Sequence, residues 1–554
     1  MSSFRNCFMN SATSSRWDNP QLRSNAVLFL DCTRVELAKS KLGLNWTLAV
    51  LMLLSIIPAV LLHIWVSSGR KLPPSPRGLP IIGHLHLLGT HAHMSMAQLS
   101  QKYGPVMYLK LGSQHALVIS SPEHAKEVFK NHDLTFSERP KLIVLDLLVT
   151  NKQGISFQSM NPSWRNLRKI FTMELLSPKR LQEWQPVRTR ELNSMLTSIF
   201  EQSNKHPNSP MEIKAKLWVL TTNITSEMIL SKRYFSDEEE EESEEAKEFK
   251  YVMEEMLNLV GSIFPADCLP FLKWLDLGGF EKRTKKLYPR LQNILTKILS
   301  ERRAQRKQRG ESYVDVDLLD VLLTQQEKGG DVPVTEGNIR GVVWDGFAGG
   351  TDTQLAAMEW VMAHLLNDPG AMEKVKTELE TVVGIERKVE EKDIPCLKYL
   401  EAVVKETFRL HPPVPLLVPR ESTQECSIAG FVVPAETRLF INVYAIGRDA
   451  RVWPDPLKFQ PQRFLQQHDH VDLYGQYPEL MPFGTGRRIC PAANMGILHV
   501  SMFVASLIHA FDWSLPEGVL DMAEAVGITP PMAPPLRAIP SPRLPRNLYY
   551  PACP

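Results

Sequence analysis

Cys490 has the most informative surroundings of any cysteine in the chain, at the end of the stretch Pro482-Phe-Gly-Thr-Gly-Arg-Arg-Ile-Cys490. The metal-binding form of cysteine is the thiolate, which persists only where its negative charge is compensated. Arg487, Arg488 and the amide groups of the Gly-Thr-Gly turn predict such compensation. The loop therefore indicates a thiolate that binds a metal, with an inert cysteine beside a surface turn as the alternative.

A second signal lies inside a helical pattern that begins near Thr335, a suitable N-cap, and stops before Pro369. Its middle contains two adjacent glycines, Gly349 and Gly350, and each costs roughly 1 kcal/mol relative to alanine inside a helix. One explanation is a groove, opened by the missing side chains, for a small diatomic ligand. The alternative is a close helix–helix crossing.

An acid and an alcohol follow these glycines directly. Asp352 and Thr353 stand side by side in the chain next to the predicted groove. A carboxyl and a hydroxyl group together can relay protons to a bound ligand. We therefore predict that both residues take part in catalysis.

Two further patterns place charged residues on shared helix faces. Glu406 and Arg409 are three residues apart and can pair, with Arg463 downstream as a third member. Trp164 and Arg168 are four residues apart, and arginine suits a carboxylate through its fork of donors. Ordinary amphipathic helices show the same spacings, so these patterns carry weight only beside the others.

The cysteine loop resembles the haem-binding loop of the cytochrome P-450 family, Phe-x-x-Gly-x-Arg-x-Cys-x-Gly. Phe483, Gly486, Arg488 and Cys490 match this pattern, whereas Ala492 stands where the family usually has glycine. The added methyl group removes no ligand. The remaining signals follow in the family's order, over residues 72 to 550.

The resemblance implies a role for each of the residues singled out. Asp352 and Thr353 resemble the oxygen-activating segment, with Gln354 in place of the commoner threonine or serine. The triad of Glu406, Arg409 and Arg463 is expected to be structural, since buried charges are tolerated only when paired. The residues expected to bind the haem are Trp164, Arg168, Arg420, Phe483, Gly486, Arg488 and the iron ligand Cys490.

The family further implies a monooxygenase with haem b as cofactor. Electrons would come from NADPH through a partner reductase, and the substrate would be a small lipophilic molecule. Stretches such as Trp274-Leu-Asp-Leu-Gly-Gly279 resemble plant microsomal members, most of all those oxidising alkaloids, phenolics or terpenoids. The expected reaction is hydroxylation or oxidative demethylation of a plant specialised metabolite. The resemblance also places pocket walls at 145–154, Val343, Phe347, 414–417 and 528–529.

Two other kinds of haem protein are alternatives to a monooxygenase. A haem-thiolate isomerase or dehydratase would rearrange a peroxide without a reductase, and it would have no need of the Asp352–Thr353 pair. A membrane-tethered haem protein that senses gas or carries electrons would likewise need no proton relay. Both alternatives are therefore disfavoured.

Composition excludes several classes of protein. A formal net charge of +2 gives no support to nucleic-acid binding. The cysteines show neither Cys-x-x-Cys pairs nor zinc spacing, so reduced thiols facing the cytosol are expected rather than a disulfide framework. Nucleic-acid partners are not expected.

An apolar run from Leu44 to Val66 is long enough to cross a bilayer as a helix. Arg70, Lys71 and Arg77 follow it and predict that the downstream part lies in the cytosol. We therefore expect a membrane anchor over residues 44–66, a proline-rich hinge over 67–83 and a catalytic domain over 84–554. Residues 1–43 form an extension of unknown role. The expected location is the endoplasmic reticulum membrane, or the plastid envelope if the extension is a transit peptide.

The fold is predicted to be mainly α with a small β region. Two short apolar runs, Val106–Gly112 and Ala116–Ser120, are bounded by glycine, serine and proline and predict paired strands. Most of the remainder has helical spacing. This is the expected cytochrome P-450 fold, preceded by one N-terminal transmembrane helix.

Overall fold

Helices make up most of the described chain, as the helical spacing of its apolar residues predicted. The computed structural model describes residues 71–148, 153–236, 243–262, 264–516 and 520–550. The predicted extension and membrane anchor lie outside the described residues, as does the start of the predicted hinge. The part from Leu72 to Pro554 forms one compact unit.

The α-helices of the described residues follow one another through the whole body. In chain order they are α1 (Ala92–Tyr103), α2 (Pro122–Asn131), α3 (Ile143–Leu148), α4 (Pro162–Leu175), α5 (Pro178–Glu183), α6 (Gln185–Lys205), α7 (Ile213–Leu230), α8 (Glu244–Val260), α9 (Pro265–Cys268), α10 (Phe280–Arg309), α11 (Leu318–Lys328), α12 (Glu336–Gly350), α13 (Asp352–Asn367), α14 (Pro369–Val382), α15 (Lys398–Leu410), α16 (Val443–Ile446) and α17 (Ala493–Ala510). Short 3₁₀ turns lie at Leu85–Leu87, Pro270–Leu275, Gly310–Ser312, Glu391–Cys396, Pro461–Leu465, Gly486–Arg488 and Arg546–Tyr549.

The β structure of the described residues is small and lies in three sheets. The strands are β1 (Val106–Leu111), β2 (Gln114–Ile119), β3 (Met211–Glu212), β4 (Arg420–Glu421), β5 (Cys426–Ile428), β6 (Phe431–Val433), β7 (Thr437–Ile441), β8 (Phe511–Ser514) and β9 (Arg537–Pro542). The predicted hairpin is confirmed, since β1 pairs antiparallel with β2. The main sheet has the order β1-β2-β7-β4, the second β3-β9-β8 and the third β5-β6. Because β2 pairs in parallel with β7, the main sheet joins an early and a late part of the chain.

The predicted central helix is present but interrupted. Thr335 caps α12 as expected, and its hydroxyl accepts a hydrogen bond from the Asn338 amide. The continuous helix predicted up to Pro369 is wrong, because the chain leaves helical geometry at Thr351, where φ is −114° and ψ is −79°. The interruption comes directly after the two glycines, which have the lowest helix propensity after proline.

The core behind the site is formed by α13, α15 and α17, which pack against one another. Among the described residues, α17 is the helix with the length and hydropathy of a membrane span, but 83% of it is buried inside the protein. It is therefore a core helix. Its first residue follows the cysteine loop directly, so the core holds that loop in place.

Candidate active site

A cavity lies between the cysteine loop and the interruption at Thr351, and we call it the central cavity. Cys490 lines it on one side, and Gly349, Gly350 and Thr353 line it as well. Its apolar wall includes Phe171, Leu175, Leu176, Met228, Ile229, Ala357, Phe408, Val414 and Leu417. A concave, largely apolar cavity with a few polar groups is typical of small-molecule sites.

Cys490 is held at the cavity by its own loop. Its backbone N–H donates to the Phe483 carbonyl at 3.0 Å. Burial raises the pKa of the Cys490 thiol, whereas a hydrogen bond from the Ala492 amide and the positive charge of Arg168 lower it. A bound metal ion would shift this balance decisively, because a coordinating thiol is deprotonated.

The neighbours that compensate the thiolate differ from those expected. Arg488 donates to the carbonyls of Ser137 at 2.8 Å and Gln158 at 2.7 Å. The Arg487 side chain is exposed. The predicted compensation by these two arginines is therefore wrong. Arg168, which reaches over from α4 and donates to the Ile489 carbonyl at 2.5 Å, supplies the positive charge.

Four arginines, Arg139, Arg168, Arg420 and Arg488, line the central cavity. Burial lowers the pKa of each of them, and in Arg139 and Arg488 the charges of neighbouring arginines lower it further. The effect takes the pKa of Arg488 to about 10. Such crowding of positive charge along one cavity favours a ligand that carries carboxylates.

Haem b fits this arrangement. Its propionates would meet the four arginines, and its iron would face Cys490. Arg420 is already bound to Asp133 at 2.7 Å and to the Thr485 carbonyl at 2.8 Å, so it anchors the cysteine loop as well. Arg139 was not predicted from the sequence. In the sequence Arg139 stands beside Pro140 and looks like an ordinary surface arginine, and only the fold places it at the cavity.

Trp164 lines the cavity but uses its polar group elsewhere. Its indole N–H donates to the Ile155 carbonyl at 2.8 Å. The Arg488 guanidinium stacks over its ring at 4.6 Å. In this structure Trp164 therefore positions Arg488, one of the arginines expected to bind the haem propionates.

Two small residues shape the cysteine loop. Gly486 has a φ of +74°, and a Cβ there would lie 2.4 Å from Asp133 Oδ1, so a side chain is excluded on both grounds. Ala492, at the family's usual glycine, has a φ of −100° and caps α17. That conformation is open to any residue, so alanine fits without backbone strain.

Gly349 and Gly350 differ in what surrounds them, and each fits a different one of the two predicted roles, a ligand groove and a close helix crossing. A Cβ on Gly349 would meet no atom of the described residues within 4 Å, so this glycine opens onto the cavity. A Cβ on Gly350 would lie 2.9 Å from Thr225 Oγ1 on α7, so this glycine permits a close helix crossing. Both explanations apply, one to each residue.

The predicted acid and alcohol lie on different sides of the interrupted helix. Thr353 lines the central cavity, and its hydroxyl donates to the Gly349 carbonyl at 2.8 Å. Asp352 is outside the cavity lining, and the charges acting on it are those of Lys214 and Glu254 on α7 and α8. Burial raises the pKa of Asp352 to about 6, so its carboxyl exchanges protons near neutral pH.

Asp345 is a cavity residue that sequence reasoning missed. One of its carboxylate oxygens accepts hydrogen bonds from the backbone N–H groups of Ile155 and Ser156. Burial raises the pKa of Asp345, whereas these amides and the Arg139 charge lower it. The contact ties α12 to the segment above the cavity, and no short motif signals it.

The predicted triad is assembled and buried. Arg409 makes a bidentate pair with Glu406 at 2.7 and 2.8 Å, and Arg463 Nε donates to the same carboxylate at 3.1 Å. The side chains of Glu406 and Arg409 are 0% exposed. These contacts join α15 to the turn at Pro461–Leu465, away from the cavity lining.

The predicted pocket walls are placed differently from expectation. Val414 and Leu417 line the central cavity. Val343, Phe347, the 528–529 pair and the described residues of 145–154 are absent from its lining. Phe347 instead packs edge-on against Phe249, with ring centroids 5.0 Å apart. Much of the wall is instead supplied by α4 and α7, with further residues from α13 and α15.

Comparison with known proteins agrees with this geometry. The family model described as Cytochrome P450 matches residues 73–532. Flavonoid 3′,5′-hydroxylase of Campanula medium is 39% identical over 492 residues, covering 87% of this chain and 94% of that protein. Cytochrome P450 71A9 of Glycine max is 40% identical over 466 residues, covering 83% and 91%. A solved zebrafish cytochrome P450 with progesterone matches with a TM-score of 0.68 and 25% identity, covering 81% and 99%. The chain therefore belongs to the cytochrome P450 family and is a haem-dependent monooxygenase.

Proposed function

We propose that this enzyme hydroxylates, or oxidatively demethylates, a small lipophilic plant specialised metabolite. The observation that carries the proposal is the central cavity, which combines Cys490, four arginines and Thr353 with an apolar wall. Among phenolics, terpenoids and alkaloids, the phenolic class has the most support. Relatives that align with most of the chain include a flavonoid 3′,5′-hydroxylase and a flavonoid 3′-monooxygenase.

Cys490 and the arginines would hold the cofactor. When bound, haem supplies dioxygen binding and the oxidising chemistry, which a cysteine thiolate ligand favours. Arg168, Arg420 and Arg488 would hold the propionates, with Arg139 as a fourth cation beside them. The apolar wall would orient the substrate and exclude water from it.

The groove beside Gly349 and Gly350, which we call the oxygen groove, would hold dioxygen. Asp352 and Thr353 would deliver protons to it. Asp352 lies on the side of α7 and α8, and Thr353 lies on the cavity side. A carboxyl group with a pKa of about 6 can take a proton from solvent and pass it inward at neutral pH. The Thr353 hydroxyl, held by the Gly349 carbonyl, is the inner end of this route.

Monooxygenases of this type receive electrons from NADPH through a reductase. We propose that Arg165, Lys169 and Arg487 form part of the docking face for it. All three are exposed, with Arg165 and Lys169 on α4 and Arg487 in the cysteine loop. Charge reversal at these positions should slow electron transfer at low salt, and unchanged rates would contradict the assignment.

For the N-terminal part we propose a single membrane anchor over residues 44–66, with the catalytic domain on the cytosolic side of the endoplasmic reticulum. A fluorescent fusion of the full chain, compared with one lacking residues 1–40, tests this. Plastid envelope fluorescence that depends on residues 1–40 would instead identify a transit peptide.

A metabolite screen tests the reaction directly. Microsomes containing this enzyme and a reductase are given panels of phenolics, terpenoids and alkaloids with NADPH. We expect a product heavier by one oxygen atom, or lighter by a methylene unit after demethylation, in the phenolic panel first. Product formation without NADPH and reductase would contradict monooxygenation and favour a rearrangement.

A further inference from the structure

The interruption of the central helix leaves the Gly350 carbonyl to accept side-chain donors. Gln354 Nε2 donates to it at 3.1 Å, and Thr225 Oγ1 donates to it at 3.1 Å from α7. Carbonyls released from a helix need such partners when they are buried. Gln354 lines the central cavity, so its carboxamide helps to shape the groove there.

Gln354 is itself held by a buried histidine. His499 Nδ1 lies 2.7 Å from Gln354 Oε1, and His499 is 2% exposed on α17. Because the Gly350 carbonyl can only accept, the amide nitrogen must face it and the amide oxygen must face His499. His499 therefore donates through Nδ1–H, and its Nε2 is left as an acceptor.

Helix α6, which packs against α17, offers a complementary donor for the acceptor on His499. His499 Nε2 and Arg188 Nη1 are both buried and have no hydrogen-bond partner among the described residues. Arg188 is 2% exposed on α6, which packs against α17, and it pairs with Glu391 at 2.7 Å. Its charge acts on His499, and together with burial it lowers the pKa of His499 to about 3, so the ring is neutral.

A water molecule between these two atoms would satisfy both. It would donate to His499 Nε2 and accept from Arg188 Nη1. Buried waters in proteins typically bridge such otherwise unsatisfied groups. This bridge would continue a line of contacts from Glu391, near the surface, to Gly350 at the cavity.

We propose that His499 is a positioning residue for the oxygen groove. Seated by a buried water against Arg188, it holds the Gln354 carboxamide on the Gly350 carbonyl and so keeps the interrupted helix in place beside Thr353. This rests on the proposed haem-thiolate function. Gln354, which replaces a commoner threonine or serine, and His499 then work as one unit in this chain.

The test compares variants in the haem-loaded full-length enzyme. His499→Leu removes the donor, Gln354→Met removes its acceptor, and His499→Asn keeps a donor close to the Nδ1 position. His509→Leu is the matched control, because His509 is also buried on α17 but binds the Gly384 carbonyl at 2.6 Å. The readouts are the infrared stretch of carbon monoxide on the reduced enzyme and the peroxide released per NADPH.

We expect His499→Leu and Gln354→Met to shift the carbon monoxide stretch alike and to raise peroxide release several-fold. The double variant should be no worse than either single one, His499→Asn should restore both readouts, and His509→Leu should change neither. Wild-type values in His499→Leu, or a shift in His509→Leu as large as in His499→Leu, would overturn the proposal. Should His499→Leu fail to take up haem, the other two variants test the proposal. Wild-type values in Gln354→Met, or altered values in His499→Asn, would then overturn it. Loss of the sulfur-ligated spectrum in the wild type would refute the proposed function instead, which keeps the two failures apart.

A high-resolution crystal structure of the wild-type enzyme tests the bridge itself. We expect an ordered water within hydrogen-bond distance of both His499 Nε2 and Arg188 Nη1. A direct contact between the two side chains would overturn the bridging part of the proposal.

Discussion

The hydroxyl of Thr353 donates to the Gly349 carbonyl at 2.8 Å, across the interruption of the central helix. The alcohol is therefore fixed at the cavity, next to the glycine that leaves room for a ligand. Thr353→Ala should uncouple NADPH consumption from product formation. NADPH would still be consumed, but without the hydroxyl the protons would lead to release of peroxide instead of product. Peroxide and product are measured per NADPH, with Thr353→Ser as the control that keeps the hydroxyl. Full coupling in Thr353→Ala would remove Thr353 from proton delivery.

Asp352 should impose a pH dependence near 6 on product formation. Its pKa is raised to about 6, so the carboxyl is protonated below that pH and loses its proton above it. Product formation should therefore fall as pH rises through this range, and Asp352→Asn should be slower and lack the step. A pH–rate profile of both enzymes at saturating reductase provides the measurement. The same step in Asp352→Asn would assign it to another group.

The same residue predicts a stability effect of definite sign. The folded pKa of Asp352 lies above the unfolded value of 3.8, so its protonated form stabilises the fold at low pH and this contribution is lost as pH rises to about 6. At pH 7, Asp352→Asn should therefore be more stable than wild type, by up to about 3 kcal/mol. Denaturant unfolding at pH 4 and pH 7 measures the difference. A stability difference that does not grow between these two pH values would contradict the raised pKa.

The two glycines should respond differently to alanine. Gly349→Ala meets open space and gains helix propensity, so it should fold with unchanged or slightly raised stability, by up to about 1 kcal/mol. Its methyl group should slow carbon monoxide binding to the reduced enzyme, because it projects into the cavity. Gly350→Ala would press on Thr225 and should lower the melting temperature. Thermal melts and flash photolysis distinguish the two, and equal effects at both positions would contradict the assignment.

Glu406→Gln should be severely destabilising. It leaves the buried Arg409 and Arg463 without their carboxylate, and breaking such a pair costs about 3–5 kcal/mol. Asp455→Asn is the control, because its pair with Lys458 is 59% and 68% exposed and should contribute less than about 1 kcal/mol. Thermal inactivation and retained haem content are measured for both. Similar losses in the two variants would argue against a buried structural triad.

Local patterns in the sequence were enough to predict much of the site. The cap at Thr335, the β1–β2 hairpin and the faces that bring Glu406 to Arg409 depend on residues close in the chain. The residues that compensate the negative charge of the Cys490 thiolate were predicted wrongly, because that prediction also considered only residues close in the chain. Arg487 and Arg488 are neighbours in sequence, but the loop turns them toward solvent and toward distant carbonyls, and Arg168 reaches the thiolate from α4.

What could not be predicted depends on long-range packing. Asp345 meets the amides of Ile155 and Ser156 only because α12 passes under that segment. Arg139 and His499 likewise acquire their roles from residues far away in the chain. The interruption at Thr351 follows from the balance between weak glycine propensity and side-chain donors around it, which helical periodicity does not reveal.

The function of this enzyme depends on the bond between Cys490 and a haem iron, and one spectrum tests that bond. The purified enzyme is reduced, exposed to carbon monoxide and compared with Cys490→Ser. We predict the strongly red-shifted absorption of a sulfur-ligated haem in the wild type and its loss in the variant. A wild-type spectrum without that absorption, or its persistence in Cys490→Ser, would contradict the assignment of Cys490 as the iron ligand.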